Sequence, residues 1–226
     1  MSDEEQGKVI QLFDRAPARS VERQKKDWVD GLIKLVNGKN ESEAKRAARE
    51  LAQVFGIDAE SLLIEALRSA PKVRVRAEIA EILMGFDTSD TVHALMICAL
   101  RDEYTAAWQA ICSLNTLSRK PVPKTRTSLL VLSLKASHKL VRCAALRCLI
   151  AIIKDKSAPS VAALALGDSS AAVRDYAKRW LIGSDREDIV PSLMRIRKIR
   201  RNNLCIQHSI TEIMRERWPD IAKDLD

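Results

Sequence analysis

The sequence predicts an all-α protein built from a repeated helical unit. The clearest observation is a phrase that occurs twice between residues 138 and 183. Its two copies are Val141-Arg142 with Ala145 and Cys148, and Val173-Arg174 with Ala177 and Trp180. The second observation is an absence. The sequence contains no sustained alternation of apolar and polar residues and no hairpin dipeptide, so nothing in it predicts a β-strand.

The N-terminal elements follow from helix start and stop signals. A helix is predicted over residues 20–36, with Gly38 as a left-handed C-terminal cap. Asn40 or Ser42 caps the next helix, which continues to Phe55-Gly56. Asp58 is then expected to cap a short helix, whose inward residues are Leu62, Leu63, Ala66 and Leu67.

From Pro71 onward the signals become regular. The predicted helices start near Pro71, Ser89, Asp102, Ser157, Ser169 and Asp185. They end at Met84-Gly85, Leu166-Gly167 and Ile182-Gly183. Residues 119–126 form the one irregular loop, after which Thr125 or Thr127 is a candidate cap.

Looser copies of the phrase extend over most of the chain. Each opens on an apolar residue, with small or apolar residues four and seven places on, which share one helix face. The copies are Ala44/Ala48/Leu51, Val73/Ala77/Ala80, Ala106/Ala110/Ser113, Val141/Ala145/Cys148, Val173/Ala177/Trp180 and Ile206/Ile210/Ile213. Successive starts differ by 29, 33, 35, 32 and 33 residues, so the repeat length is that of a helix pair.

This phrase resembles the second helix of a HEAT-type repeat. The Val-Arg start stands at Val73-Arg74, Val141-Arg142 and Val173-Arg174, and a proline opens the preceding helix at Pro159 and Pro191. In that family an Asp before the second helix commonly pairs with the Arg, as Asp168 would with Arg174. The turn before Val141 has no Asp, and the copy at Ala106 has no Arg.

The resemblance covers roughly residues 41–217 and implies a right-handed α-solenoid of about five to six HEAT-like repeats. We expect residues 19–226 to form this single domain and residues 1–18 a flexible tail. The tail carries an apolar island from Val9 to Phe13, either a docking peptide or a strap on the helices.

Composition favours a cytoplasmic protein without a membrane span or a cofactor. No apolar run reaches the ~18 residues of a transmembrane helix, and the acidic start resembles no targeting signal. The five cysteines are odd in number and lie in helical contexts, as reduced thiols do. Their spacing and three separated histidines predict no metal site, and no glycine-rich phosphate loop is present.

Charge is distributed unevenly between the two halves. Residues 1–118 have 16 Lys and Arg against 19 Asp and Glu, a net charge of −3. Residues 119–226 have 22 against 11, a net charge of +11. Such a field attracts phosphate backbones or an acidic protein surface.

The candidate binding cations fall in two sets. The second helices carry Lys139, Arg142, Arg147, Lys178 and Arg179, and the densest segment carries Arg195, Arg197, Lys198, Arg200 and Arg201. Ile196 and Ile199 are expected to face the core. Because the resemblance places second helices on the concave side, we expect one basic stripe, extended by Arg119, Lys120, Lys124 and Arg126. The alternative is a solvated face, with Arg142 and Arg174 bonded between repeats.

Four aromatic residues raise a catalytic alternative. Some alkylpurine DNA glycosylases are solenoids whose concave face carries aromatics and a catalytic carboxylate. Tyr104, Trp108, Tyr176 and Trp180 invite the comparison, but Cys112 and Ser184 lie one turn after the two tryptophans, where no carboxylate stands. We therefore expect a non-catalytic interaction module that binds an acidic protein or a nucleic-acid backbone. The alternative is a DNA-binding solenoid related to those glycosylases.

Overall fold

The computed structural model describes residues 18–120, 122, 124–152 and 155–223. Within these residues the backbone is helical, with no strand. The first helices are α1 Ala18–Val36, α2 Glu41–Phe55, α3 Glu60–Ser69, α4 Val73–Leu83, α5 Ser89–Arg101, α6 Tyr104–Leu117 and α7 Thr125–Lys135. They are followed by α8 Lys139–Arg147, α9 Ala158–Ala165, α10 Ala171–Gly183, α11 Ile189–Ile199, α12 Leu204–Arg217 and α13 Pro219–Ala222. The all-α prediction is confirmed, and the predicted tail with Val9 to Phe13 lies outside the described residues apart from Ala18, which begins α1.

The helices pack as pairs arranged in two rows. Each odd-numbered helix packs against the even-numbered helix that follows it, from α1 with α2 to α11 with α12. From α1 to α10, each helix also contacts the helix two places further along the chain. We call α1, α3, α5, α7, α9 and α11 the first row, and α2, α4, α6, α8, α10 and α12 the second row. The core lies between the rows.

The second-row helices bury most of the predicted phrase, but Val73, Ala77 and Trp180 are only partly buried. Ala44, Ala106, Val141, Val173 and Ile206 are buried as predicted. In α4 the buried residue is Val75, whereas Val73 is only partly buried. Val75 is the third residue of its helix, as the phrase openers of α6, α8, α10 and α12 are. The sequence VRVR contains two Val-Arg pairs. The buried phrase begins at the second pair, two residues later than predicted.

Three of the predicted caps are wrong and one is right. Asn40 caps α2, because its side chain accepts hydrogen bonds from the backbone N–H groups of Ser42 and Glu43. Asp58 lies inside the 3-10 turn Gly56–Ala59 and does not cap α3. Neither Thr125 nor Thr127 caps α7, which begins after Lys124 with its φ of 65°. Gly38 is not left-handed, and a Cβ there would lie 2.9 Å from the Leu35 carbonyl oxygen.

Candidate functional site

The predicted binding cations lie in both rows. Lys139, Arg142 and Arg147 are on α8 and Lys178 and Arg179 on α10, both second-row helices. The segment from Arg195 to Arg201 belongs to α11, in the first row, and to the turn that follows it. The structure therefore divides between two rows what the sequence placed on one concave stripe.

Four cations at the end of α11 form an exposed cluster. Arg195, Lys198, Arg200 and Arg201 are exposed, and no described carboxylate lies within 4.0 Å of them. We call these four residues the α11 cluster. Their charge is uncompensated locally, so the cluster attracts anions.

Arg197 serves the turn instead of the α11 cluster. It is partly buried, and its Nε donates to Gln207 Oε1 at 3.2 Å. Gln207 Nε2 in turn donates to the carbonyl oxygens of Arg197 at 2.8 Å and Arg200 at 3.1 Å. These bonds fix the chain as it passes from α11 to α12, and so they position Arg200 and Arg201.

Arg142 is buried in an ion pair and is not part of an exposed surface. Only 8% of the residue is accessible. Its Nε and Nη2 donate to the two Asp168 oxygens at 2.7 and 2.8 Å, and its Nη1 donates to the Ala136 carbonyl at 2.7 Å. Burial raises the pKa of Asp168, but the hydrogen bond from Arg142 outweighs it together with the other contacts, and the pKa is lowered. This pair joins two consecutive helix pairs.

The pairing of Asp168 also corrects the expectation from the family resemblance. Arg174 donates to the Asp168 backbone carbonyl at 2.7 Å and not to its carboxylate. The carboxylate belongs to Arg142 of the preceding phrase. Arg76 makes the equivalent contacts in α4, donating to Asp102 Oδ1 at 2.6 Å and to the Ala70 carbonyl at 2.9 Å. Arg74, the arginine chosen from the sequence, is exposed.

The remaining second-row cations are a mixture of paired and unpaired groups. Lys178 donates to Glu212 at 2.6 Å, and this bond lowers the pKa of Glu212. Arg179 donates to the carbonyl of Asp175 at 3.3 Å. Lys139 and Arg147 are exposed and have no described carboxylate within 4.0 Å. Three cations of the second-row set are therefore exposed, namely Lys139, Arg147 and Arg179.

The loop cations do not extend the α11 cluster. Arg119, Lys120, Lys124 and Arg126 follow α6, at the opposite end of the helices from the turn between α11 and α12. Lys120 is paired with Asp87 at 2.9 Å, and Arg126 is paired with Asp155. The expected extension of the stripe is wrong.

Apolar side chains accompany the α11 cluster, and sequence reasoning missed them. Ile199, expected in the core, is 63% exposed, and Leu204 across the turn is 81% exposed. Met194 is exposed as well, whereas Ile196 is buried. The signal was present in the break of helical spacing at the Arg-Arg-Asn-Asn turn, which lets Ile199 leave the buried face.

Two of the four candidate aromatics are exposed and adjacent. Tyr104 is 44% and Trp108 39% exposed, with ring centroids 6.2 Å apart. The Tyr104 ring also meets His138 edge-on at 5.5 Å. Tyr176 and Trp180 are partly buried against the core, so only the first two offer a stacking surface.

Metal ligands and cysteine thiols are two kinds of reactive group that a catalytic site could use. The described residues include no group of three His, Cys, Asp or Glu placed to hold a metal ion. Burial raises the pKa of the Cys143 and Cys148 thiols, which disfavours the nucleophilic thiolate. No described helix combines the length and apolar character that crossing a bilayer requires.

Comparison with known proteins adds no relative to this description. The chain matches no protein-family model and no curated protein.

Proposed function

We propose that the protein is a non-catalytic binding module whose basic C-terminal half binds the phosphate backbone of a nucleic acid. In this proposal the two rows form a right-handed α-solenoid of HEAT-like repeats, and the protein acts in the cytoplasm. The observation that carries the proposal is the α11 cluster, four exposed cations with no described carboxylate within 4.0 Å.

The ion pairs of the same half explain why its positive charge remains available. Asp155, Asp168, Asp188 and Glu212 are each paired with a Lys or Arg. These carboxylates neutralise cations that hold the helices together and leave the exposed cations alone. Exposed cations on rigid helices bind phosphates irrespective of base sequence, and the binding weakens steeply with salt.

An acidic protein is the second candidate partner. Ile199, Leu204 and Met194 lie among the cations of the α11 cluster. A phosphate backbone gives these apolar side chains no partner, whereas interfaces between proteins combine apolar anchors with arginine. The exposed apolar residues are the feature that favours this candidate.

The alternative related to alkylpurine DNA glycosylases depends on Tyr104 and Trp108. Their exposed rings supply a stacking surface of the kind on which bases rest. One turn after Trp108 stands Cys112, which cannot replace a carboxylate as general base. The proposal is therefore recognition of DNA without base excision.

Fluorescence anisotropy with a labelled, random-sequence DNA duplex tests the proposal. The test variant replaces the α11 cluster, Arg195, Lys198, Arg200 and Arg201, with Ala. A control variant removes the same charge elsewhere, at Arg46, Arg119, Lys124 and Lys156, which are exposed. Both are compared with the unmodified protein at about 50 and 200 mM salt.

We expect the unmodified protein to bind with micromolar or tighter affinity, and to weaken by tenfold or more between the two salt concentrations. The α11 variant should lose this binding, and the control variant should retain most of it. Absence of binding at 50 mM salt would exclude the nucleic acid and leave the acidic protein. Equal losses in the two variants would show a response to net charge alone.

A further inference from the structure

The turns within the helix pairs lie along one edge of the molecule. Neighbouring helices joined by short turns run antiparallel. Every turn from a first-row to a second-row helix therefore lies at the same end of the helices. We call this the first edge, made of residues 35–41, 68–73, 100–104, 134–139, 164–171 and 198–204. The turns from second-row to first-row helices form the second edge.

Hydrogen bonds connect successive turns of the first edge in its N-terminal part. Ser69 Oγ donates to Asn37 Oδ1 at 3.3 Å, which joins the first two turns. Arg76 joins the second turn to the third through Ala70 and Asp102. Consecutive turns are thus in contact.

The same connection continues to the C-terminal end. Ser137 Oγ donates to the Leu100 carbonyl at 2.9 Å, and His138 Nε2 lies 3.0 Å from the Asp102 carbonyl. Arg142 then spans from Ala136 to Asp168. Finally, Cys205 Sγ donates to the Leu166 carbonyl at 3.4 Å. The first edge is continuous along the described chain.

Cations occupy five of the six turns of this edge. All of them are exposed, and none has a described carboxylate within 4.0 Å. They are Lys39, Arg68, Lys72, Arg101, Lys135, Lys139, Lys198, Arg200 and Arg201. The first four belong to the half of the chain whose net charge is negative, so the sum over that half conceals them.

Each carboxylate of the first edge is contacted by a basic residue outside the nine exposed cations. Asp102 and Glu103 are both bound by Arg76. Asp168 is bound by Arg142 and Glu41 by Lys45. Of the nine exposed cations only Lys72 acts on one of these carboxylates, as the weakest of the three basic neighbours of Glu41, so most of the positive charge of the first edge is not compensated along it.

Two of the nine cations stand where a helix disfavours them. Lys72 is the N-cap residue of α4 and Lys139 the first residue of α8, and neither helix has a side-chain cap. The positive end of the helix dipole repels a cation at these positions. Helix stability therefore does not explain them, whereas an anion bound across the turns would.

We infer that the first edge is a binding track for duplex nucleic acid that reaches into the N-terminal half. The inference rests on the proposed function and adds Lys39, Arg68, Lys72 and Arg101 to the interface. Packed helices lie about 9 Å apart, so the five intervals between six turns span about 45 Å. At 3.4 Å for each base pair this is about 13 base pairs. A double-stranded backbone fits the first edge because the edge is long and its exposed charges are mostly cationic.

The first experiment compares two variants of equal charge and equal composition. One replaces Lys39, Lys72 and Arg101 of the first edge with Ala, all within the N-terminal half. The other replaces Lys124, Lys156 and Arg119 of the second edge, all within the basic C-terminal half. Affinity for a labelled random 14-base-pair DNA duplex is measured by anisotropy between about 50 and 200 mM salt, after circular dichroism has shown that both variants fold.

The track predicts a loss only in the first-edge variant. We expect at least tenfold weaker binding at about 50 mM salt and a salt slope less steep by about 3, since each lost phosphate contact contributes about 0.9. The second-edge variant should bind as the unmodified protein does. If the two variants bind equally, while substitution of the α11 cluster abolishes binding, the track is wrong and the proposed function stands. If the unmodified protein binds no duplex, both fail.

A length series gives a second, independent test. The affinity per duplex should rise up to about 13 base pairs and then level off. Saturation at about 7 base pairs would confine the site to two or three turns and overturn the inference. Tighter binding of a single strand of equal length would overturn the assignment to duplex.

Discussion

The two edges of the molecule carry the same types of charged residue but pair them differently. At the second edge several carboxylates pair with cations of the same edge, as in Lys120 with Asp87, Arg186 with Asp188 and Arg217 with Asp185, while Arg119, Lys124 and Lys156 have no described carboxylate within 4.0 Å. At the first edge Asp102, Glu103 and Asp168 meet the buried or half-buried Arg76 and Arg142, and Glu41 meets Lys45. Nine exposed cations of this edge are left over.

The difference separates charges that hold the fold from charges that face outward. An arginine such as Arg142 is buried, and its partner fixes its position. Lys139, on the same helix, is exposed and has no described carboxylate within 4.0 Å. Net charge alone does not distinguish the two groups, and substitutions do.

The largest effect is expected at the buried arginine of the first edge. Arg142→Met leaves the Asp168 carboxylate buried without its charged partner. Removing one member of a buried ion pair costs several kcal/mol, and we expect a loss of about 3 kcal/mol in the free energy of unfolding. Urea denaturation measures it. Arg147→Met, on the same helix but exposed, should change stability by less than about 0.5 kcal/mol, and equal effects would contradict the division.

At the second edge, the hydrogen-bonded carboxylate of Asp155 should also stabilise the fold, in a pH-dependent way. Asp155 accepts hydrogen bonds from Arg126 and from the backbone and side chain of Ser157. Asp155→Asn should lower stability by about 2 kcal/mol at pH 7, since hydrogen bonds to charged groups are worth that much.

The bond from Arg126 lowers the pKa of Asp155 to about 2, whereas the unfolded chain has a value of about 4. The folded protein therefore binds this proton less readily, and the stabilisation is complete above pH 4. The stabilisation is lost as the pH falls from about 4 through 2. The difference in unfolding free energy between the variant and the unmodified protein should therefore shrink over this pH range. Glu187→Gln, an exposed substitution at the same edge, should change the free energy of unfolding by less than about 0.5 kcal/mol; a constant difference for Asp155→Asn would argue against the pair.

The first-edge turn that carries no exposed cation is sterically crowded at Gly167. A Cβ at Gly167 would lie 2.8 Å from Cδ1 and Cγ1 of Ile206. Gly167→Ala should therefore lower stability by about 1.5 kcal/mol through overpacking, measured by thermal unfolding. Ile206→Val in the same chain should recover part of the loss. Gly183→Ala, where nothing lies within 4 Å, should be neutral, and a similar loss there would exclude crowding as the cause.

The smallest effect concerns the exposed carboxylate of the first edge. The Glu103 side chain is 73% exposed and touches only Arg76, at 3.3 Å. If a duplex lies along this edge, Glu103→Gln should raise the affinity of the protein for the duplex about two- to threefold, because it removes a negative charge that repels the phosphates. Anisotropy at about 100 mM salt measures the change. Glu187→Gln at the second edge should leave the affinity unaltered, and an equal rise would place the duplex on neither edge.

The confirmed part of the sequence prediction, the helices and their buried faces, rests on helix periodicity. This periodicity is a local property of the chain. Apolar residues at intervals of four and three positions bury one face in any packed helix, and Ala44, Val141 and Ile206 are buried accordingly. The exception at Val73 has a local cause, since two equivalent Val-Arg pairs overlap. Only the position where α4 begins distinguishes them.

The candidate site was less predictable because its charges find their partners one helix pair away. Arg76 and Asp102 are 26 residues apart, as are Arg142 and Asp168, and Lys178 and Glu212 are 34 apart. A sequence shows both members of each pair but not their contact. It therefore could not tell that Arg142 is buried while Lys139, three residues earlier, is exposed.

The sequence by itself determined that the chain is helical, where most of its helices lie and that its second half is strongly basic, because each depends on residue order and composition. The tertiary structure alone decided which cations are neutralised. Folding brings carboxylates and arginines of successive helix pairs together and leaves nine exposed cations along the first edge. Burial makes ionic partners obligatory inside the fold, whereas an exposed cation at a turn needs none.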